Sequence, residues 1–395
     1  MNTMLMNNIN WVGYVDWNVR DFHGYSTDRG ATYNAYLVQD EKTALIDSVK
    51  APYVDNLLKN IRSHTDLDKV DYIVVNHAEP DHGGGLSKTV EALPNAVVVC
   101  DQKCKDIISG HHDTTGWNFH IVKTGDELSL GKRTLQFIET PMVHWPDSMF
   151  TYIPEEKLLF SMDAFGQHYA TSARFDDEVS LSTTLEEAKK YYANIVMPFG
   201  KMVSKVLDAA SGLDIDMIAP SHGVIWRTHL PEILSRYAEW AECKARPKVV
   251  IMYDTMWQAT EKIAMAMTEG ASIEGVETIL LNVRASSLTV VATEVLDAAV
   301  VAIGTSNLNQ NMLPMMAAVL TYLKGLKPVG KSGMAFGSYG WGKGGCEQVD
   351  QWINDMKWDT VHEMFKCKFT PDAAVLSEAE KIGKILAEKA GEIAQ

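Results

Sequence analysis

The run His77-Ala78-Glu79-Pro80-Asp81-His82 places two imidazoles and two carboxylates in an H-x-E-x-D-H pattern. All four side chains are metal-ligand types, and Gly83-Gly84-Gly85 lets the backbone fold tightly around an ion. The apolar stretch 70–76 predicts a strand that would aim these ligands from the end of a sheet. Three more ligand-type residues follow strand-like runs and stand beside Pro or Gly: His144 in Pro141-Met142-Val143-His144-Trp145-Pro146, Asp163 in Ser161-Met162-Asp163-Ala164-Phe165-Gly166, and His222 in Pro220-Ser221-His222-Gly223. Singly, each reads as a hydrogen-bonded turn residue. Four such places in one stretch of chain read as a scaffold presenting side chains to metal from its loops.

A second constellation begins at Tyr253-Asp254-Thr255-Met256-Trp257-Gln258-Ala259-Thr260, between a predicted strand and a predicted helix. The hydroxyls of Thr255 and Thr260, with backbone amides at a helix N-terminus, would cradle one phosphate. No Gly-Lys-Ser/Thr follows, so this is not a P-loop. Two later predicted strand ends, Gly304-Thr305-Ser306-Asn307-Leu308-Asn309 and Gly337-Ser338-Tyr339-Gly340-Trp341-Gly342, would stand at the carboxyl edge of a parallel sheet, where open α/β folds bind ligands. Tyr339 and Trp341 offer aromatic surface, and the glycines allow close approach to a flat ring. Residues 340–345 formally satisfy G-x-G-x-x-G, but only 50 residues follow them, too few for the two halves of a dinucleotide fold.

These residues need two kinds of scaffold. Residues 1 to 246 mix short β-like runs (43–47, 96–100, 134–138, 157–160) with helical patterns (185–195, 231–243), which predicts α+β layers. The basic, proline-containing segment 244–248 reads as a linker. From 247 the texture becomes regular alternation: strands at 249–253, 276–283, 298–303 and 333–336, and helices at 261–269, 313–323, 345–356 and from about 377. That alternation predicts a parallel, doubly wound sheet. A chain of 395 residues exceeds one ordinary core, which agrees with two domains, 1–246 and 247–395.

Composition excludes other classes. A net charge of −15 argues against nucleic-acid binding, which needs clustered Lys and Arg. No apolar run reaches membrane-spanning length, and residues 1–10 lack the basic start and apolar stretch of a secretory signal. The five cysteines (Cys100, Cys104, Cys243, Cys346, Cys367) are scattered, with no C-x-x-C pair. A disulfide framework, a zinc ribbon and a built-in rubredoxin-type iron site are therefore not expected, and the compartment reads as cytoplasmic.

The order H-x-E-x-D-H, His, Asp, His resembles the metallo-β-lactamase superfamily, whose zinc hydrolases have His where this chain has Glu79. That replacement is the mark of the flavodiiron proteins, the rubredoxin:oxygen oxidoreductases. The loops after the first, third and fourth strands of the second domain are similar to theirs. The resemblance runs from residue 8 to about 390 and includes Asp16-Trp17-Asn18 and Thr32-Tyr33-Asn34-Ala35-Tyr36. It implies a metallo-β-lactamase-like αβ/βα sandwich followed by a flavodoxin-like doubly wound parallel sheet. It also implies one iron held by His77, Glu79 and His144, another by Asp81, His82 and His222, and Asp163 bridging the two. A hard carboxylate oxygen in place of imidazole suits iron over zinc. FMN would be bound by Thr255, Met256, Trp257, Gln258, Ala259 and Thr260, by Thr305, Ser306, Asn307, Leu308 and Asn309, and by Ser338, Tyr339, Gly340, Trp341 and Gly342. The implied activity is reduction of dioxygen to water, of nitric oxide to nitrous oxide, or both. Electrons would come through FMN from an external donor, rubredoxin or a reduced deazaflavin. The implied assembly is a head-to-tail homodimer, or a dimer of dimers, bringing one subunit's flavin to the other's irons. His23 and His168 are candidates for the pocket or for hydrogen bonds behind the ligands; Tyr191 and Tyr192 are candidates to line it, with core packing the alternative. A competing class is a hydrolase of the β-lactamase fold with an appended flavodoxin. An electron carrier without catalysis would need an incomplete ligand set, and the set is complete.

Overall fold

The β-branched and aromatic runs at 36–39, 43–46, 72–74 and 97–100 become central strands of a seven-stranded sheet in the computed structural model, which describes residues 4–394. The chain divides into two compact units, residues up to 191 with 201–238, and 192–200 with 239 onward.

In the first unit the larger sheet runs in the order Met4–Met6, Ile9–Trp11, Tyr36–Gln39, Thr43–Ile46, Tyr72–Val74, Val97–Cys100 and Phe119–Ile121. A five-stranded sheet runs Glu127–Ser129, Thr134–Glu139, Met149–Ile153, Leu158–Met162 and Met217–Pro220. Side-chain alternation splits the apolar residues between two cores. Tyr36, Val38, Ala44, Ile46, Val74 and Val99 meet Phe137, Met149, Ile153 and Phe160 of the other sheet. Leu37, Leu45, Ile73 and Val98 face outward against Leu57, Leu58, Ile61, Leu86 and Ile108 of the covering helices. The first sheet is thus buried on both faces, and functional side chains can reach a cleft only from strand ends.

His77 follows Tyr72–Val74, Asp163 follows Leu158–Met162, and His222 follows Met217–Pro220. The last two strands pair in parallel, so Asp163 and His222 leave the sheet at the same end. The loop after Met217–Pro220 is held by the segment 32–36. Asn34 Nδ2 donates to the carbonyls of Pro220 (2.8 Å) and Gly223 (3.1 Å), Tyr36 OH donates to Pro220 O (2.6 Å), and Trp11 Nε1 donates to Asn34 Oδ1 (2.8 Å).

The second unit is a parallel sheet ordered Glu277–Asn282, Arg246–Tyr253, Ala298–Ser306, Ser332–Tyr339, with Phe365–Lys368 and the short Asp359–Thr360 both pairing Ser332–Tyr339. This is the 2-1-3-4-5 order of flavodoxin-like folds. Helices Ala259–Ala271 and Ala373–Ile393 bury Ile263, Met267, Ile382 and Leu386 against one face. The predicted linker 244–248 is corrected: the strand already starts at Arg246, and Lys248 is buried with its ammonium on Glu294 and Asp297. A short basic segment looks solvated until distant carboxylates are found to neutralise its buried lysine. The helix Leu288–Leu296, started by Ser287 Oγ accepting from Val290 N–H, was not among the expected elements. Among the described residues no helix is long and apolar enough to cross a membrane.

Replacing Asn34 with Ala would leave the Trp11 indole N–H without its acceptor and remove one donor each from the Pro220 and Gly223 carbonyls. We expect Asn34→Ala to lower the stability of the first unit by about 2–4 kcal/mol, read by chemical denaturation. An effect near zero would mean that water takes over these bonds.

Candidate functional site

The H-x-E-x-D-H run is half loop, half helix: Pro80–Gly83 forms a single helical turn with proline at its first positions. A Cβ on Gly84 would lie 2.2 Å from the Pro80 carbonyl oxygen, so this close return of the chain requires glycine. Asp163 is aimed by an irregularity at the end of its strand, where the register shifts between Phe160 and Met162.

Four strand ends and loops bring seven ligand-type side chains into two sets. In the first, Glu79 Oε2 lies 3.3 Å from His77 Nε2 and 3.1 Å from His144 Nε2. Asp163 Oδ2 completes it, 3.4 Å from His77 Nε2 and 3.2 Å from His144 Nε2. In the second, Asp81 Oδ2 lies 3.4 Å from His82 Nε2 and 3.1 Å from His222 Nε2. The other oxygen of Asp163, Oδ1, is 3.0 Å from His82 Nε2 and 3.3 Å from His222 Nε2. Asp163 therefore offers one oxygen to each set.

Behind these atoms stand partners that spacing alone did not reveal. His77 Nδ1 donates to Asp147 Oδ2 (3.1 Å), which also accepts from Ala78 N–H (2.8 Å). His222 Nδ1 donates to the Thr32 carbonyl (2.6 Å). Each bond places the ring proton on Nδ1 and turns Nε2 toward the cluster. Thr32 Oγ1 accepts from Gly223 N–H (2.7 Å), and Gly223, at φ 81°, sits where a Cβ would fall 2.1 Å from Gln167 Oε1. Tyr191 OH donates to Asp163 Oδ1 at 2.8 Å. The signal for Asp147 was an acid three residues past His144, between Pro146 and the next strand.

Of the other pocket candidates, His23 Nδ1 reaches Glu79 Oε1 at 3.2 Å. His168 is buried, its ring 4.8 Å from that of Tyr191 and 5.7 Å from that of His222. Tyr192 packs on Trp240 within the second unit.

Burial opposes every charge here, and the opposite charges override it. Desolvation disfavours imidazolium at His144 and His222, yet Asp163, with Glu79 or Asp81, raises them to about 9 and about 10. His77 is raised well above its ordinary value, against burial, by Asp147, Glu79 and Asp163. Asp163 is held well below the usual carboxylate range despite complete burial, by His82, His144 and His222. His168 goes the other way: burial, then His222, pushes it well below its ordinary value.

The residues fit a pair of metal ions. His82 Nε2, His222 Nε2, Asp81 Oδ1 and Asp163 Oδ2 are buried without a hydrogen bond, although opposite charges converge on them. Donor atoms that converge without bonding one another are arranged as ligands around cations.

The second unit presents its three loops at the carboxyl ends of strands 246–253, 298–306 and 332–339. Thr255 Oγ1 is buried without a partner just before the helix Ala259–Ala271, whose N-cap Gln258 has φ 63°. An unpaired hydroxyl beside unpaired helix amides suits a phosphate. Thr260 instead ties the loops together: its hydroxyl lies 2.9 Å from both Ser306 Oγ and Ser338 Oγ. Thr305 Oγ1 accepts from Leu313 N–H, and Asn307 Oδ1 accepts from Gly345 N–H, linking the second loop to the third. Trp257 and Trp341 are 89 % and 97 % exposed, with Met256 and Tyr339 partly exposed beside them. Bare indoles at the ligand edge of a parallel sheet suit a flat aromatic ligand.

Residues 31–223 match the family described as ODP family beta lactamase, and residues 251–383 match flavodoxin. A nitric oxide reductase of Moorella thermoacetica is 48 % identical over 359 residues, 90 % of each chain. The flavodiiron protein of Giardia intestinalis superposes with a TM-score of 0.97 at 38 % identity, covering 100 % of this chain and 98 % of that one. The rubredoxin oxygen:oxidoreductase of Desulfovibrio gigas gives 0.96 at 38 % identity, covering 100 % and 99 %. The fold is therefore a metallo-β-lactamase-like domain followed by a flavodoxin domain. The chain belongs to the flavodiiron protein family of oxidoreductases.

Asp163→Ala removes one oxygen from each set. We expect it to abolish loading of the metal pair, measured by elemental analysis, while flavin content stays unchanged; a variant that kept both ions would refute the shared carboxylate. In chelated protein the raised imidazoles make a signed prediction. His144 and His222 ionise in the fold at about 9 and about 10 against 6.5 unfolded, so their stabilisation is complete below 6.5 and fades as pH rises toward 10. The melting temperature of the metal-free protein should fall across that window, and that of the metal-loaded protein should fall less.

Proposed function

We propose that this protein reduces dioxygen to water, nitric oxide to nitrous oxide, or both, at a pair of irons, with electrons passing through FMN from an external donor. The observation that carries the reading is Asp163, presenting Oδ2 to the set of His77, Glu79 and His144 and Oδ1 to the set of Asp81, His82 and His222. Glu79 supports iron over zinc, because it replaces an imidazole with a hard oxygen donor. In this reading the metal ligands lie within 1–246 and the flavin contacts within 247–395.

When bound, a ferrous pair and a reduced flavin supply two electrons each, four for dioxygen to two waters and two for coupling two nitric oxides. The chain's own residues hold and orient. Asp147 and Thr32 fix two imidazoles with Nε2 inward. Burial, then Asp163, raises the Tyr191 phenol well above its ordinary value, so it keeps its proton and pins the shared carboxylate. His168, kept neutral by burial, gives the pocket an imidazole whose buried Nε2 is unpaired. Thr255 and the amides after Gln258 would hold the FMN phosphate, and Trp257, Tyr339 and Trp341 would flank its ring system.

The donor is external in this reading. The name of the Desulfovibrio gigas relative supports rubredoxin, and a reduced deazaflavin is the second choice. The Moorella thermoacetica relative's name supports nitric oxide as a substrate. The assembly we propose is a head-to-tail homodimer, singly or doubled, in the cytoplasm, without nucleic-acid or membrane partners.

The test is anaerobic stopped-flow of the reduced protein against each gas, following flavin reoxidation and nitrous oxide yield. We expect reoxidation by at least one gas far faster than free FMN gives. A chain that held zinc and hydrolysed esters or phosphodiesters would sink the reading in favour of a hydrolase. A monomeric variant with undiminished turnover would remove the dimer.

A further inference from the structure

His23, Glu79 and Asp81 form a third set whose ligand atoms all lie within 4.8 Å of one another. We propose that this set is an entry site, where a divalent metal ion is captured before it passes inward to the two buried sets. The proposal rests on the diiron reading above.

An aqua ion cannot shed its whole water shell in one step to enter a buried cluster; it must trade waters for protein ligands one at a time. The side chains here form a graded path for that exchange. His23 is 37 % exposed, Glu79 13 %, Asp81 3 % and His77 fully buried. Glu79 faces both ways along the path. Its Oε1 lies 3.2 Å from His23 Nδ1, while its Oε2 lies 3.3 Å from His77 and 3.1 Å from His144. An ion bound by His23 and Oε1 moves into the first set by a shift between the two oxygens of one carboxylate. Asp81 stands likewise between the entry set and the second buried set, and its Oδ1 is buried without a hydrogen-bond partner.

Local structure suits His23 to this work. It sits at the tip of a two-strand hairpin, Asp21–Phe22 with Tyr25–Ser26. Residues 23 and 24 both have positive φ (56° and 83°), the pattern of a tight two-residue hairpin turn. Phe22 anchors the base of the hairpin, its ring 4.7 Å from that of His168 and 5.8 Å from that of His222. The tip itself is open: nothing lies within 4 Å of a Cβ built on Gly24.

A purely orienting role, in which His23 only steadies Glu79 by a hydrogen bond, is separable by substitution. Asn and Asp both tolerate the left-handed conformation at this position. His23→Asn can still donate a hydrogen bond to Glu79 Oε1 but is a poor metal ligand; His23→Asp keeps a ligand and loses the donor. Full-length, FMN-containing protein stripped of iron would be mixed anaerobically with ferrous ammonium sulfate, and uptake timed by quenching with a chromogenic ferrous chelator. We expect His23→Asn to slow uptake about tenfold or more while still ending with two irons, and His23→Asp to load at the wild-type rate. Uptake by His23→Asn at the wild-type rate would overturn the proposal. So would equal slowing in both variants, or a final content below two irons in His23→Asn, which would indicate retention rather than entry. A wild-type chain that never takes up two irons would instead bring down the diiron reading itself.

Discussion

Three carboxylates, Glu79, Asp81 and Asp163, meet in a space where none is more than slightly exposed. Buried charge of one sign persists only with matching charge of the other close by. In this chain the match begins with the four imidazoles of His77, His82, His144 and His222, and the unsatisfied nitrogens and oxygens between them call for cations. Asp163 is the keystone of the arrangement, because its two oxygens belong to different ligand sets. Any displacement of its strand end disturbs both sets at once.

That constraint accounts for the hydrogen bonds that hold the loops of the first unit beside its two apolar cores. The parallel pairing of Leu158–Met162 with Met217–Pro220 delivers Asp163 and His222 to one end of the sheet. The segment 32–36 then locks the second of these loops through Thr32, Asn34 and Tyr36. Asp147 does the same for His77 and for the backbone at Ala78. These bonds cost little in folding because they satisfy groups that would otherwise be buried and unpaired.

The second unit solves a different problem with the opposite chemistry. Its strands are apolar along their length, and hydroxyls are gathered at the carboxyl edge. There the hydroxyls of Thr260, Ser306 and Ser338 form a mutually bonded triangle beneath the three loops. Above it, Trp257 and Trp341 are left bare. Elsewhere a buried ion is matched within the fold itself: Lys248, near the start of its strand, places its ammonium on Glu294 and Asp297.

The two-domain plan, the parallel character of the second sheet and all seven ligand candidates were legible in the sequence. Ligand types and strand periodicity are local properties, and four strand ends carrying His or Asp are hard to reach by chance. The misreadings share one cause. The linker at 244–248 and the unforeseen helix 288–296 were judged from local texture, while a buried lysine's partners and the packing of an evenly apolar helix are set by distant residues. Likewise Asp147 and Thr32 look ordinary until folding brings them to His77 and His222, 70 and 190 residues away. Residue type alone determined which chemistry this chain can do. Tertiary structure decided which nitrogen of each fixed imidazole faces inward, that one carboxylate faces two sets, and that His23 meets Glu79 from an exposed hairpin tip, because each of these depends on distances that arise only when remote segments meet.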